Sequence, residues 1–163
     1  MHPLEKLRLE RVPTLDFGVM QHHFAPHGRD YILIIESNIT ANPGRHELTF
    51  THCVKAEVVT AVRDEVWAES WSDDFTDFER WTKVGEPNGY VWGNNWSLAY
   101  PGFEAVLDSV EAAEWSGKLG KEMFEFRLET DRFTLRIIFH SIHFRKISDD
   151  TSVVSAVVFP LKR

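Results

Sequence analysis

Histidines are the side chains of this chain best suited to metal or acid–base chemistry, because eight occur in 163 residues. His22 and His27 stand just before Asp30, and imidazole and carboxylate groups are good zinc ligands. Neighbouring side chains of a strand point to opposite faces, so only a turn could bring His27 towards His22. The sequence therefore offers His22, His27 and Asp30 as a metal-site hypothesis, against the ordinary alternative of surface or hydrogen-bonded histidines. No HExxH, CxxC or HxH motif supports a metal site.

Nucleophilic chemistry has one candidate, the lone cysteine Cys53. A single thiol within an apolar run is typical of a buried small hydrophobe, and it excludes an intramolecular disulfide. His52 is adjacent and should point away from the thiol, whereas His140 could approach it from another strand. Walker, dinucleotide-binding, GxSxG and kinase motifs are absent from the sequence. We therefore predict no catalytic residues and no cofactor, and we favour a protein that is not an enzyme.

Composition predicts a single domain over residues 1–163, since 43% hydrophobic and 13% aromatic content is ample for one packed core. No apolar run approaches the roughly 18 residues of a membrane span, and the N-terminus lacks the apolar core of a signal peptide. We therefore expect a cytoplasmic protein that does not enter a membrane. The sequence leaves its oligomeric state open.

The net charge of −7 comes from one place, residues 64–79, which hold seven acids and no Lys or Arg. The rest of the chain has equal numbers of acidic and basic residues. This distribution argues against a nucleic-acid binder and favours a basic protein as partner. Asp73, Asp74 and Asp77 are the acids predicted to contact it. A solvated helix face is the plainer interpretation of such a run.

Aromatic residues in the same region recur at helical spacing, at intervals of four, four, three and three. This pattern predicts one or two short helices, with a break near residues 72–76 and an end near Gly85. Ser72 and the capping-box sequence Thr76–Glu79 are the predicted helix starts. Aromatics at this spacing are more often core than binding surface, so we expect them to pack against a sheet. They are Trp67, Trp71, Phe75, Phe78 and Trp81.

Elsewhere the hydrophobic period is two, which is typical of strands. The alternation slips near His140, where we expect a bulge or full burial. The predicted fold is α+β, a mainly antiparallel sheet of five or more strands with a few short helices packed against it. The predicted strands cover residues 17–24, 31–36, 47–55 with an extension towards 62, 124–129, 133–144 and 153–159.

Residues 89–102, GYVWGNNWSLAYPG, are predicted to form an ordered loop of specific shape. They combine four aromatics, three glycines and an Asn-Asn pair in fourteen residues. Rings anchor such a loop, glycines permit sharp turns and amides bond to exposed main chain. The residues of this loop predicted to bind a partner or ligand are Trp92, Asn94, Asn95, Trp96 and Tyr100.

Five segments together resemble a known family: RDYILIIE at 29–36, FTHCVKAEVVTAV at 50–62, GYVWGNNW at 89–96, YPG at 100–102 and LETDRFTLRIIF at 128–139. In this order and spacing the chain resembles the YxiG-like family of uncharacterised bacterial proteins. The resemblance implies no activity, cofactor or catalytic residue. The family's Bacillus namesake implies a link to contact-dependent toxins and their immunity proteins.

Two function classes follow from the sequence. The first is a non-enzymatic protein-binding module, in the form of an immunity-type inhibitor that uses its acidic face against a basic protein. The second is a small-ligand or metal-dependent site, in which the 89–102 loop covers a pocket near His140 and His143. An exposed acidic surface favours the first class, and a concave pocket lined by the loop and a histidine favours the second.

Overall fold

Eight strands form one antiparallel sheet, in the order β4-β7-β6-β5-β1-β2-β3-β8. The computed structural model describes residues 1–10, 12–38, 42–93 and 96–149. The predicted α+β fold is confirmed. The strands are β1 Leu15–Phe24, β2 Tyr31–Ser37, β3 Gly44–Thr51, β4 Lys55–Thr60, β5 Ser97–Ala105, β6 Phe124–Thr130, β7 Phe133–Phe139 and β8 Ser141–Ile147. The helices are α1 Pro3–Leu9, α2 Asp64–Glu69, α3 Phe78–Lys83 and α4 Val110–Leu119, with a 3-10 helix at Asp73–Phe75.

Two long interrupted strands organise the sheet. β3 runs into β4 across residues 52–54, and β7 runs into β8 across His140. The two long strands pair with each other on both sides of these interruptions, with Thr51 opposite Ser141 and Lys55 opposite Ile138. Since β3 also pairs with β2, and β7 with β6, the sheet curls round until its two ends meet.

The inward side chains of this curled sheet form the main core. Their rings pack edge to face, and Phe139 lies 4.9 Å from both Phe50 and Phe126 between ring centroids. Helix α1 covers one end by burying Leu4 and Leu7, while Lys6 Nζ donates to the Ile142 carbonyl at 3.0 Å. The buried strand residues include Phe17, Val19, Leu33, Ile35, Leu48, Phe50, Phe103, Phe126, Leu128, Leu135, Ile137 and Phe139.

Strand predictions succeed where inward and outward residues alternate. The expected irregularity near His140 is the interruption between β7 and β8. The prediction of a loop throughout 89–102 is wrong for its second half, because residues 97–102 belong to β5. The pairing register of β5 shifts against both β1 and β6, so its residues do not show the regular alternation by which a strand is recognised in the sequence. The predicted strand at 153–159 lies outside the described residues.

The predicted break in the 64–81 helix is confirmed, since α2, the 3-10 helix and α3 follow one another there. The prediction that the aromatic stripe packs against the sheet is wrong. Phe75 is buried, but Trp67 is 43%, Trp71 87% and Phe78 51% exposed. Each element is too short to carry a continuous stripe, and each break turns the next rings to a different direction. None of the helices in the described residues has the length and apolar content required to cross a membrane.

Gly102 lies where β5 comes closest to the chain just before β1. Its φ is +124°, and a Cβ at this position would lie 1.9 Å from the Thr14 carbonyl oxygen. We expect Gly102→Ala to lower the free energy of unfolding by roughly 2–4 kcal/mol, from backbone strain and the steric clash together. Urea denaturation measures this loss.

Gly117→Ala is the matched control, because this glycine lies within α4 and a Cβ there meets nothing within 4 Å. We expect it to raise the free energy of unfolding by about 0.5–1 kcal/mol. Equal stability of the two variants would contradict the role assigned to Gly102.

Candidate functional site

Residues 61–93 leave the sheet after β4, and we refer to them as the helical excursion. Ser70, 2% exposed, follows α2 and joins it to residues 90 and 92 near the end of the excursion. The Ser70 carbonyl accepts from Trp92 Nε1 at 3.0 Å, and its hydroxyl accepts from the Tyr90 amide. The Trp92 amide donates to the Phe75 carbonyl at 2.6 Å, and Gly89 leaves no room for a side chain beside Phe75. The excursion is therefore a folded unit with defined geometry.

Trp92, a predicted binding residue, stands in the middle of this unit. Its ring lies 4.4 Å from Trp67 and 5.0 Å from Tyr90 between centroids. Trp67 Nε1 donates to Thr60 at the end of β4 at 3.0 Å, and the Tyr90 hydroxyl donates to Asp131 at 3.2 Å. These rings fasten the excursion to the sheet. Trp92 uses its indole N–H internally, so its role is mainly structural.

The three predicted acidic residues have different roles. Asp77 is the N-cap of α3, accepting from the amides of Glu79 and Arg80, and so replaces the predicted cap at Thr76. Asp74 forms an ion pair with Arg80 at 2.8 Å. Asp73 is exposed and forms no ion pair with a described residue.

Trp71 was missed as a binding candidate, although it is the most exposed large hydrophobic residue of the excursion at 87%. It follows the buried Ser70 directly and precedes the exposed Asp73. Its position in the short segment between α2 and the 3-10 helix explains the exposure, since no helix holds it against a neighbour. The break that the sequence predicted at 72–76 was the signal that this ring leaves the aromatic stripe.

Four acids surround Trp71 in the chain, and none makes an ion pair or hydrogen bond through its side chain within the described residues. All four are exposed. The excursion therefore presents a large apolar ring together with uncompensated negative charge. These acids are Asp64, Glu65, Glu69 and Asp73.

Trp96 and Tyr100 lie apart from the excursion, on the outer face of the sheet. Trp96 covers Gly18 of β1, where a Cβ would come within 3.4 Å of the indole, and remains 46% exposed. Tyr100 is 71% exposed on β5. A cavity of about 330 Å³ opens beside Trp96 and extends to the end of β2. Asn94 and Asn95 lie outside the described residues.

His140 and His143 do not line the cavity beside Trp96. His140 Nδ1 donates to the Glu122 carbonyl at 2.8 Å, and His143 is exposed on β8 opposite Thr49. The pocket is therefore lined by Trp96 and Leu98 of the 89–102 segment, but not by His140 or His143.

The three residues of the metal-site hypothesis do not converge. His27 Nε2 lies 3.7 Å from Asp30, but His22 contacts the Tyr31 hydroxyl at 2.6 Å. Burial lowers the pKa of His22, and His23 lowers it further, so its imidazole is neutral at pH 7. Within the described parts of the chain, no group of three or more His, Cys, Asp or Glu side chains is placed to hold a metal ion.

Cys53 lies at the interruption between β3 and β4. Burial raises the pKa of its thiol to about 12, so it is protonated at physiological pH. Its Sγ donates to the Lys55 carbonyl at 3.2 Å. His140 reaches the neighbouring His52, with 5.8 Å between ring centroids. These contacts describe a structural cysteine.

Comparison with known proteins gives one decisive match, to a family model described as YxiG-like protein, over residues 4–157. The chain belongs to the YxiG-like family. No curated protein matches its sequence. A crystal structure of an uncharacterized protein from Neisseria gonorrhoeae is 8% identical, covers 82% of this chain and 93% of its own, and superimposes with a TM-score of 0.36.

In this YxiG-like chain, Asp30 joins the β1–β2 turn to the interrupted strand. Its carboxylate accepts from Arg29 Nε at 2.9 Å and from the His52 amide at 3.1 Å. The Arg29 hydrogen bond lowers the pKa of Asp30, the His52 amide adds to this effect, and burial opposes it. A depressed folded-state pKa means that ionised Asp30 stabilises the fold above about pH 4. That contribution is lost as the pH falls through the folded-state pKa.

We expect Asp30→Asn to lower the free energy of unfolding by about 1 kcal/mol at pH 7, because the hydrogen bonds lose their charged acceptor. The difference from the unmodified protein should shrink as the pH falls below about 4. Urea denaturation between pH 7 and pH 3 measures both effects. Asp108→Asn, at an exposed acid, is the control and should change little. A constant difference across this pH range would contradict the assignment.

Proposed function

We propose that this protein is a non-enzymatic protein-binding module that captures a basic protein through its helical excursion, in the manner of an immunity-type inhibitor. The observation that carries the proposal is Trp71, which is 87% exposed in segment 64–73, whose four acids make no ion pairs in the described structure. Tryptophan is enriched among the residues that dominate binding energy. Its large rigid ring loses little conformational freedom on binding.

The negative charge of the residues near Trp71 in the chain favours a basic partner. Glu65, Glu69 and Asp73 flank Trp71 in the chain and are exposed. A surface of this kind attracts a basic protein over a distance, raises the association rate and disfavours acidic partners. Binding would place the Trp71 ring in an apolar pocket of the partner, with the carboxylates around it contacting Lys and Arg side chains.

Rigidity also supports binding over a solvated helix face. The buried Ser70, the Trp92 hydrogen bond and the Phe75 ring fix the segment that carries Trp71. A preorganised surface loses less entropy when it binds than a mobile one.

Catalysis has weaker support, because Cys53 is protonated and buried and His140 uses Nδ1 in a backbone hydrogen bond. The cytoplasm is the expected compartment for this interaction, since the one cysteine is a buried thiol.

Affinity capture from an extract of the native host tests the proposal. We expect the tagged protein to retain a specific basic protein, identified by mass spectrometry, and we expect Trp71→Ala to weaken binding at least tenfold. Glu69→Lys with Asp73→Lys should slow association and reduce its dependence on salt concentration. Asp74 and Asp77 are unsuitable for charge reversal, because they support Arg80 and the start of α3.

Two variants outside the excursion serve as controls for this experiment. Leu107→Ala removes another highly exposed hydrophobic side chain, 81% exposed, and Glu114→Lys reverses an exposed acid on α4. Both should bind like the unmodified protein. Failure to capture a basic partner, or equal binding by the Trp71 variant and the controls, would sink the proposal.

A further inference from the structure

The cavity beside Trp96 has the form of a slot on the outer face of the sheet. Trp96 forms one wall, and Gly18 permits the indole to lie close to the strand. Leu98, whose relative exposure is 44%, extends the apolar wall. Met20 contributes to the lining from an irregular point of β1, where the register with β2 shifts between residues 19 and 21.

Carboxylates stand at the same slot. Asp16 and Glu36 both line it, and no Lys, Arg or His among the described residues does. Glu36 also has Arg45 within 3.6 Å, which offsets part of its charge, whereas Asp16 makes no ion pair with any described residue. The slot therefore combines an aromatic wall, aliphatic surface and net negative charge.

We propose that the slot receives an arginine side chain of the basic partner. A guanidinium plane stacks on an indole face, and its N–H groups match carboxylate oxygens in geometry and charge. The methylene stem of arginine would lie along Met20 and Leu98, as such stems do on apolar surfaces. A volume of about 330 Å³ accommodates one side chain of this size. This inference rests on the proposed function and names a second anchor for the same partner.

The slot is close enough to Trp71 for one partner to cover both. Trp92 and Trp96 are four positions apart in the chain, so their Cα atoms are at most about 14 Å apart. Trp92 donates a hydrogen bond to Ser70, the residue next to Trp71. A standard interface buries about 800 Å² on each partner and is roughly 30 Å across. The acidic excursion and the slot therefore fall within the reach of one interface.

Titration with N-acetyl-arginine amide tests the slot without the partner. We expect a saturable shift of the Trp96 indole N–H signal in NMR spectra, assigned with Trp96→Phe, and an apparent Kd on the order of 1–10 mM. N-acetyl-citrulline amide has nearly the same shape without the charge and should bind at least fivefold more weakly.

Asp16→Asn combined with Glu36→Gln should weaken arginine amide binding roughly five- to tenfold. Asn suits position 16, because Asp16 has a φ of 48° and Asn tolerates this left-handed region. Leu107→Ala is the control, because Leu107 is exposed and does not line the slot, and it should bind the arginine amide unchanged. Absence of a saturable shift, equal binding of citrulline amide, or an unaffected double variant each overturns the slot proposal.

The same double variant should reduce affinity for the captured partner at least fivefold. If this double variant keeps its affinity for the partner while Trp71→Ala loses it, the slot proposal is overturned and the proposed function stands. If arginine amide binding depends on Asp16 and Glu36 but no basic protein is captured, the proposed function is overturned instead. A basic partner is then no longer the source of the arginine that binds the slot.

Discussion

The pairing of the two long interrupted strands is the constraint on which the rest of the structure depends. Both strands break at the same level, and backbone hydrogen bonds cross the break from His140 to Thr51 at 2.9 Å and from Val54 to Ile138 at 2.9 Å. The Cys53 amide donates to the Arg29 carbonyl at 2.7 Å, so the β1–β2 turn supports the same point. Because each long strand serves two parts of the sheet, the sheet can curl round an interior filled with aromatic and branched side chains.

A filled interior leaves recognition to the outside of the molecule. The sheet supplies the rigid face on which Trp96 rests, and Thr60 and Asp131 fix the excursion from neighbouring strand ends. Cys53, the side chain that could act as a nucleophile, is buried and belongs to the core of the sheet and not to the recognition surface. Exposed rings and carboxylates on fixed backbone are suited to binding by shape and charge, which is why the two proposals concern the same partner.

Local patterns in the sequence predicted the strands and the broken helix, because alternation and turn residues act over a few positions. They failed where the outcome depends on distant parts of the chain. The period of β5 is disturbed by irregular pairing on both sides, and the direction of Trp71 is set by how Ser70 is anchored to Trp92. The slot joins Asp16, Glu36 and Trp96, which are far apart in sequence, so no local pattern could reveal it. Trp92 illustrates the opposite error, since composition indicated a binding residue where the fold uses a structural one.

The attachment of the helical excursion has a consequence for divergence among related chains. It leaves the sheet after β4 and returns to it before β5, and its exposed residues between α2 and α3 contribute nothing to the main core. Surface substitutions of this kind usually change the free energy of unfolding by no more than about 0.5 kcal/mol. Stability and recognition are thus encoded by largely separate sets of residues. New binding preferences can therefore evolve on this scaffold, one surface substitution at a time, while the sheet continues to fold.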